Sequence, residues 1–369
     1  VASIHQTSSG KWELRWREGN RNRSRTYADR RQAQEAQFEV ERLGYGPIPR
    51  HQVPTLRDFI PVWERTKDLA PSTTRGYAEL VRTHIDPFLG YRKVSELTPP
   101  MLMEWQTSRI DAGAGPTALS KAQTLLGQVL DHAVLPWQYL DANPVRALPS
   151  PVRKRKQTRW LDARDVEAIR GWYLERGDLG SATLVSVLAY VGIRPQDALA
   201  LTWDDLGDRL AVNKKNVNGV IEAGSKTGQN YRRRVFVPDT VKADLRGWQS
   251  QTSSGSDLIW PNRKGQPWSK GQYNNWRGRM EGKSFKKAAQ EVGLGWDLTP
   301  YALRHTAASL FIASGRTHTW VAAQLGHSPL VSLRTYQHLY ADDPREGWGE
   351  DDYIREARGY APRSEAVRI

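Results

Sequence analysis

The segment GHSPLVSLRTYQHLY, residues 326–340, holds two histidines, two tyrosines and an arginine. Phenol, imidazole and guanidinium can attack, carry a proton or hold an anion. The stretch therefore reads either as a decorated helix end or as a chemical centre in which one tyrosine outweighs the other. Three further segments carry groups of the same kind. In GIRPQDALALTW (192–203), Arg194 stands between Gly192 and Pro195 at a helix junction, anchored by backbone rather than carried on a surface helix. In AGSKTGQNYRRRVFVP (223–238), Ser225, Gly228 and Asn230 favour a turn, and Val235 and Val237 alternate into a returning strand. This predicts a hairpin with Lys226 at its tip. Such a lysine is usually a surface residue, but it can also deliver a proton donor when substrate is present. In LTPYALRHTAAS (298–309), Thr299 as N-cap and Pro300 in the first turn start a helix. Tyr301, Arg304 and His305 then fall at i, i+3 and i+4 and share a face. Gly326 ends a short helix, His327 lies just past it, and Ser328-Pro329 starts the helix that carries Tyr336.

Composition narrows the chemistry. The chain has no cysteine, which excludes disulfides, thiol catalysis and Cys-ligated zinc, and fits a reducing, cytoplasmic setting. It shows no HExxH motif or acidic cluster suited to a metal, so no cofactor is expected. A formal net charge of +14 points to a polyanionic partner, nucleic acid first, with a merely soluble basic protein as the plain alternative. Hydrophobic residues make up 38% of the 369, enough to bury cores, and the length suggests two or three domains. The opening VASIHQTSSG has no apolar signal core, and no run approaches a membrane span.

Positioning these groups requires several elements. In KWELRWR (11–17), Trp12, Leu14 and Trp16 alternate with Lys11, Glu13, Arg15 and Arg17, the period of a half-buried strand. EGN supplies a turn, and RNRSRTY puts Arg21, Arg23 and Arg25 on one face of a second strand. Asp29 with Gln32 caps a helix carrying Ala33, Ala36, Val40 and Leu43. An arginine-rich sheet with one helix suits a small DNA-reading module better than a solvated face. After a Pro-rich linker at 46–54, the pattern is helical to about Val145. Ser72 can cap a helix with Tyr77, Leu80, Val81 and Ile85; Thr98 and Pro99 open a second around Leu102 and Trp105. A third runs through Leu119, Ala122, Leu126, Val129 and Ala133. A second linker contains Arg153, Lys154, Arg155 and Lys156, either solvated or strapped across a phosphate backbone. A mixed α/β region follows, its first helix capped by Asp162, and Leu184, Leu188 and Val191 mark a buried helix ending at Gly192.

GIRPQDAL, the Lys226 segment, TPYALRHT, LGHS and LRTYQHL occur in the order and spacing of the tyrosine recombinases, the phage-integrase family of site-specific DNA recombinases. Each motif alone is weak, but five in order over some 150 residues are specific, and the chain resembles this family over nearly its whole length. The resemblance implies a multi-domain, mainly α protein with small β-sheets. It would comprise a β-β-(β)-α arm-type DNA-binding domain (1–48), a helical-bundle, SAM-like core-binding domain (55–148) and a mixed α/β catalytic domain (158–341), with a tail over 342–369.

Carried over by position, Arg194 and Arg304 are the phosphate-clamping arginines, Lys226 the hairpin lysine, His327 the second-motif histidine and Tyr336 the nucleophile. The chemistry fits: two guanidiniums suit the non-bridging oxygens, an ammonium can protonate the departing 5′ oxygen, and a 3′-phosphotyrosine conserves bond energy. Tyr301 stands where the family commonly has histidine, and a phenol of pKa about 10 is a poor base. Tyr301 is thus expected to orient the phosphate or hydrogen-bond the nucleophile, with proton removal left to water, His327 or His305. His305 is read first as a helix support, Asp197 as a buttress, and Tyr340 and His338 as structural. The acidic tail with Glu346, Glu350, Asp351 and Asp352 is expected either to be solvated or to dock on a neighbouring protomer. The implied partners are arm-type and core-type duplex attachment sites and a homotetramer on DNA, with a directionality factor and a DNA-bending protein as further candidates. No membrane is expected, and the protein would be nucleoid-associated when bound. Integration or excision of a mobile element leads. A type IB topoisomerase-like nicking enzyme and a catalytically silent DNA-binding protein are the alternatives.

Overall fold

The computed structural model describes residues 2–18, 21–42, 53–151, 159–224, 233–252, 255–278, 282–295, 297–336 and 348–361. It divides into two compact units, Val1–Arg155 and Lys156–Ile369. The first opens with an antiparallel sheet of β1 (Ser3–Gln6), β2 (Trp12–Glu18) and β3 (Arg21–Tyr27), in that order, followed by helix α1 (Arg30–Arg42). The Gln32 N–H donates to Asp29 Oδ1 at 2.9 Å, the expected cap. Leu14 and Ala33 are both fully buried, so α1 covers the Leu14 face of the sheet. The register pairs Leu14 with Arg25 and Trp16 with Arg23, and paired residues point the same way. Arg21, Arg23 and Arg25 therefore belong to the helix-covered face, not to a separate one, and stay exposed because β3 is an edge strand. Arg15, paired with Ser24, points to the opposite face.

The rest of this unit is helical: α2 (Leu56–Arg65), α3 (Pro71–Leu80), α4 (Asp86–Leu89), α5 (Pro99–Asp111) and α6 (Pro116–Val134). A π-helical turn at Val81–Ile85 joins α3 to α4. Ser72 does not cap α3, because Pro71 already takes the first helical position and Ala70 precedes it. Thr98 does precede α5, whose Trp105 and Leu102 pack with Phe59, Trp63, Ile85 and Leu126 in one apolar cluster.

The second unit contains α7 (Ala163–Leu174), α8 (Leu179–Tyr190) and α9 (Pro195–Ala198) before its strands. These are β4 (Leu210–Val212), β5 (Lys214–Val217), β6 (Val220–Ala223) and β7 (Arg233–Val235). Next come α10 (Asp239–Gln249), α11 (Lys270–Gly278) and α12 (Phe285–Glu291). The series ends with α13 (Tyr301–Ala313), α14 (His318–Leu325), α15 (Pro329–Tyr336) and α16 (Glu350–Ala357). Helix α8 is apolar all round and buried from Gly180 to Tyr190, as a central helix must be, and α7, α10 and α13 pack against it. Asp162 caps α7 through the Asp165 N–H at 2.8 Å. Helix α13 starts one residue later than its sequence suggests, with Pro300 at the cap position and the Thr299 carbonyl accepting from Ala302 N–H.

Two expectations change here. Strand β6 pairs with β5, and β7 pairs with β4, so the strands flanking Lys226 belong to different sheets and do not form one hairpin. Of the acidic tail, Glu350, Asp351 and Asp352 on α16 are held within their own unit rather than solvated, and Glu346 lies outside the described residues. Asp351 accepts from the backbone N–H groups of Asp239 and Thr240 at 2.9 and 3.0 Å, capping α10. Glu350 pairs with Arg316 at 2.6 Å, and Ile354 enters the core of the same unit. No helix among the described residues is long and apolar enough to cross a membrane.

Candidate active site

Helix α8 stops at Gly192, whose φ of +76° an L side chain resists. A Cβ there would lie 2.5 Å from Leu325 Cδ2 and 2.7 Å from Ala307 Cβ, so the turn, α13 and the end of α14 can meet only around a glycine. That contact builds the site. Arg304, on α13 and only 3% exposed, donates from Nη1 to the Gly192 carbonyl and from Nη2 to the Leu325 carbonyl, both at 2.6 Å. Each terminal nitrogen of such an anchored fork carries a second N–H for another acceptor. Arg194, capping α9, donates from Nη2 to the Gly326 carbonyl at 3.0 Å and lies 3.6 Å from Asp197.

A third guanidinium joins them. Arg233, on β7, donates to the Leu325 carbonyl at 2.6 Å and sits 3.4 Å from the Asp197 carboxylate. Sequence reasoning did not single it out, because it sits in the run Arg232, Arg233, Arg234. The signal was there: buried Val235 and Val237 alternate inward, and the same period turns Arg233 inward and Arg234 outward. Asp197 thus buttresses two arginines, as expected. Burial first, then Arg194 and Arg233, push the Arg304 guanidinium down to about 10, with Tyr301 and Tyr336 opposing. Three guanidiniums against one carboxylate leave the pocket positive, a site that an anion would relieve.

Gly326 ends α14 in the left-handed region at φ +70°, and its neighbour His327 turns back so that its N–H reaches the Ala322 carbonyl at 3.1 Å. The half-buried His327 ring donates from Nδ1 to the Ser328 carbonyl at 3.1 Å, since a carbonyl can only accept. Its Nε2 is buried without a hydrogen-bond partner among the described residues. Burial and then the three arginines lower the His327 pKa, against the Ser328 carbonyl.

Tyr336 ends α15 as described, with only 3% of its surface exposed. Its phenol oxygen lies 2.6 Å from His305 Nδ1 on α13. Burial raises the Tyr336 pKa to about 12, with Arg304 pulling it down and Tyr301 pushing it up. His305 is lowered to about 4 by burial, Arg304 and His327. Tyr301 is 46% exposed, and its ring stands edge-on to His305, 5.2 Å between centroids. The shared helix face holds as expected, but His305 is more than a helix support: its ring nitrogen, not the Tyr301 phenol, meets the Tyr336 oxygen.

Lys226, Arg153, Lys154, Arg155, Lys156, His338 and Tyr340 lie outside the described residues. Arg15, Arg21, Arg23 and Arg25 lie in the N-terminal sheet.

Residues 159–342 match the model of the phage integrase family, and residues 55–109 match the phage integrase N-terminal SAM-like domain. The chain belongs to the phage integrase family. Its activity is that of a tyrosine recombinase, site-specific cleavage and rejoining of DNA. The integrase of Mycobacterium phage FRAT1 is 25% identical over 297 residues, covering 77% of this chain and 83% of that protein. Tyrosine recombinase XerC of Xanthomonas axonopodis pv. citri is 29% identical over 204 residues, 54% of this chain and 60% of that one. Among solved structures, the Tn1549 transposon integrase in complex with circular intermediate DNA aligns with a TM-score of 0.64 at 14% identity, over 77% of this chain and 95% of that one. A lambda integrase tetramer bound to a Holliday junction aligns at 0.57 and 16%, over 88% of this chain and 95% of that one. At these identities the structural likeness speaks for the fold.

Proposed function

We propose that this chain is the integrase of a mobile element and that Tyr336 is its nucleophile. In this reading Arg194 and Arg304 hold the non-bridging oxygens of the scissile phosphate, and the unpartnered Nε2 of His327 bonds the same group when protonated. The Tyr336 oxygen attacks phosphorus, a 3′-phosphotyrosine forms, and Lys226 gives a proton to the departing 5′ oxygen. Asp197 and Arg233 set the fork of Arg194 and the Leu325 carbonyl. The observation that carries the reading is the convergence of buried Arg304, Arg194 and a His327 ring nitrogen with no hydrogen-bond partner among the described residues, with the buried Tyr336 phenol within the field of Arg304. In water-poor surroundings such fixed charges stabilise a pentacoordinate phosphorane-like transition state strongly.

The sheet-and-helix module over 1–48 is proposed to bind arm-type DNA, with Arg15, Arg21, Arg23 and Arg25 on phosphates. The helices over 55–148 would bind core-type DNA, with Arg153, Lys154, Arg155 and Lys156 of the linker against its backbone. The catalytic domain would span 158–341, and recombination would run in a homotetramer in the cytoplasm, on the nucleoid, under a directionality factor and a DNA-bending protein. The test is a duplex spanning the boundary of the gene's own mobile element, nicked beside the cleavage point so that the cut strand diffuses away. The wild-type chain should accumulate a covalent protein–DNA adduct, and Tyr336→Phe should form none. Exchange between two such duplexes separates a recombinase from an enzyme that only nicks and reseals, and an adduct in Tyr336→Phe rules out this nucleophile.

A further inference from the structure

A buried phenol is a weak nucleophile until it loses its proton, so Tyr336 needs a partner at the moment of attack. Among the described residues, three groups on α13 and the turn after α14 are candidates. Tyr301 is a half-exposed phenol on α13 whose ring faces His305, and Tyr336 donates nothing to it. His327, on the turn after α14, has its Nδ1 engaged with the Ser328 carbonyl, and its buried Nε2 has no hydrogen-bond partner among the described residues. His305 alone is in contact, with Nδ1 2.6 Å from the phenol oxygen, a distance at which a proton passes without rearrangement.

Resting on Tyr336 as the nucleophile, we propose that His305 is a catalytic residue, the base that takes the Tyr336 proton as its oxygen attacks phosphorus and returns it when the strand is rejoined. The electron pair of the broken O–H bond becomes the Oη–P bond. The P–O5′ bond breaks with its pair on O5′, which takes a proton from the general acid, Lys226 in the reading above. His305 holds the tyrosine's proton as imidazolium until a 5′ hydroxyl attacks the phosphotyrosine, when each proton goes back. No oxidant, reductant or metal enters this balance.

The surroundings tune the base. Arg304 on its own helix and His327 beyond α14 act on His305, while the Tyr301 and Tyr336 rings lie 5.2 and 5.8 Å from its ring. In the free chain, burial and that positive field hold the imidazole neutral, with its pKa down to about 4, so a lone pair is available but weakly basic. A phosphate placed between the arginines brings the opposite charge. It offsets the field of Arg304 and raises the basicity of His305 only once DNA is in the site. The base is therefore strongest when the nucleophile has a target.

Single-turnover adduct formation on the nicked boundary duplex, from acid to mildly alkaline pH, tests this. In the wild-type chain the rate should fall on the acid side as His305 gains a proton. His305→Gln and His305→Ala should bind the duplex as the wild type does, cleave on the order of 100-fold more slowly and lose that acid limb. Added imidazole should restore much of the His305→Ala rate. Either variant cleaving at the wild-type rate, or both slowed equally at every pH with no recovery in imidazole, overturns the assignment. If one variant fails to bind, the other decides by the same criteria. If both fail, a His305 resonance in the wild-type chain that does not move to higher pKa on adding the duplex overturns it, and one that does supports it. An adduct persisting in Tyr336→Phe would overturn both this assignment and the nucleophile on which it rests, which separates the two failures.

Discussion

At the scale of single residues, the positions of Arg194, His327 and Tyr336 could be read from sequence because each sits at a helix boundary that local sequence announces. Gly192 and Pro195 bracket Arg194, and Gly326 precedes His327. What local sequence hides is which side chain touches which across elements. The bond from His305 to Tyr336 joins residues 31 apart on α13 and α15, so no i, i+4 argument reaches it. Arg233 was hidden differently, inside a run of like residues whose alternation had to be read from the valines beyond. Tyr301 shows the consequence for function. It is 46% exposed, its ring stands T-shaped to the His305 ring, and it does not bond Tyr336. Tyr301→Phe keeps that ring contact, so single-turnover cleavage should fall by less than about tenfold, short of the loss that follows removal of a general base. Cleavage abolished as fully as in Tyr336→Phe would instead make Tyr301 the proton acceptor.

At the scale of elements, the site is a junction rather than a surface. The end of α8, the start of α9, strand β7, α13 and the end of α14 all place a donor or a carbonyl there, and at Gly192 the turn comes within contact of α13 and the end of α14. The pattern Leu184, Leu188, Val191 then Gly192 gave the buried helix and its stop. It did not give the reason for the glycine, which is the approach of Ala307 and Leu325. The Lys226 segment was legible as strand, turn and strand, but not in its pairing, because β5 and β4 lie earlier in the chain and strand partners are chosen by tertiary packing. Gly192→Ala tests the junction. The methyl meets Ala307 Cβ at 2.7 Å, a neighbour with no rotamer to turn away, at a backbone φ of +76° that also strains any side chain. Strain and overpacking together predict a loss of about 2–4 kcal/mol in denaturant unfolding. Cleavage should fall further than stability alone explains, because the Gly192 carbonyl that holds Arg304 moves with the turn. An unchanged unfolding midpoint would mean that the junction has room the static contacts do not show.

At the scale of the whole molecule, the excess of fourteen positive charges is spread over a chain whose catalytic pocket uses only a few of them. The rest bear on affinity, and the N-terminal sheet is where the proposal can be separated from the chemistry. Composition and alternation made this module legible as an arginine-rich sheet with a helix. They could not say that β3 is an edge strand, nor that Arg23 and Arg25 share a face with Trp16 and Leu14. An edge position keeps Arg21, Arg23 and Arg25 together and exposed even on the helix-covered side, and Arg15 across the sheet, also exposed, pairs with Glu13 at 2.8 Å. The edge strand should therefore supply more of the phosphate contacts than the open face. Replacing Arg21, Arg23 and Arg25 together by glutamine should weaken binding to arm-site duplex and reduce the slope of log affinity against log salt by about three, one for each lost phosphate contact. Arg15→Gln should reduce it by less than one. Adduct formation on the nicked core duplex should be the same in both variants as in the wild type, since neither change reaches the junction around Gly192. Equal loss on arm and core duplexes would show instead that these arginines raise affinity for any DNA, and the division of labour between the units would fall with it.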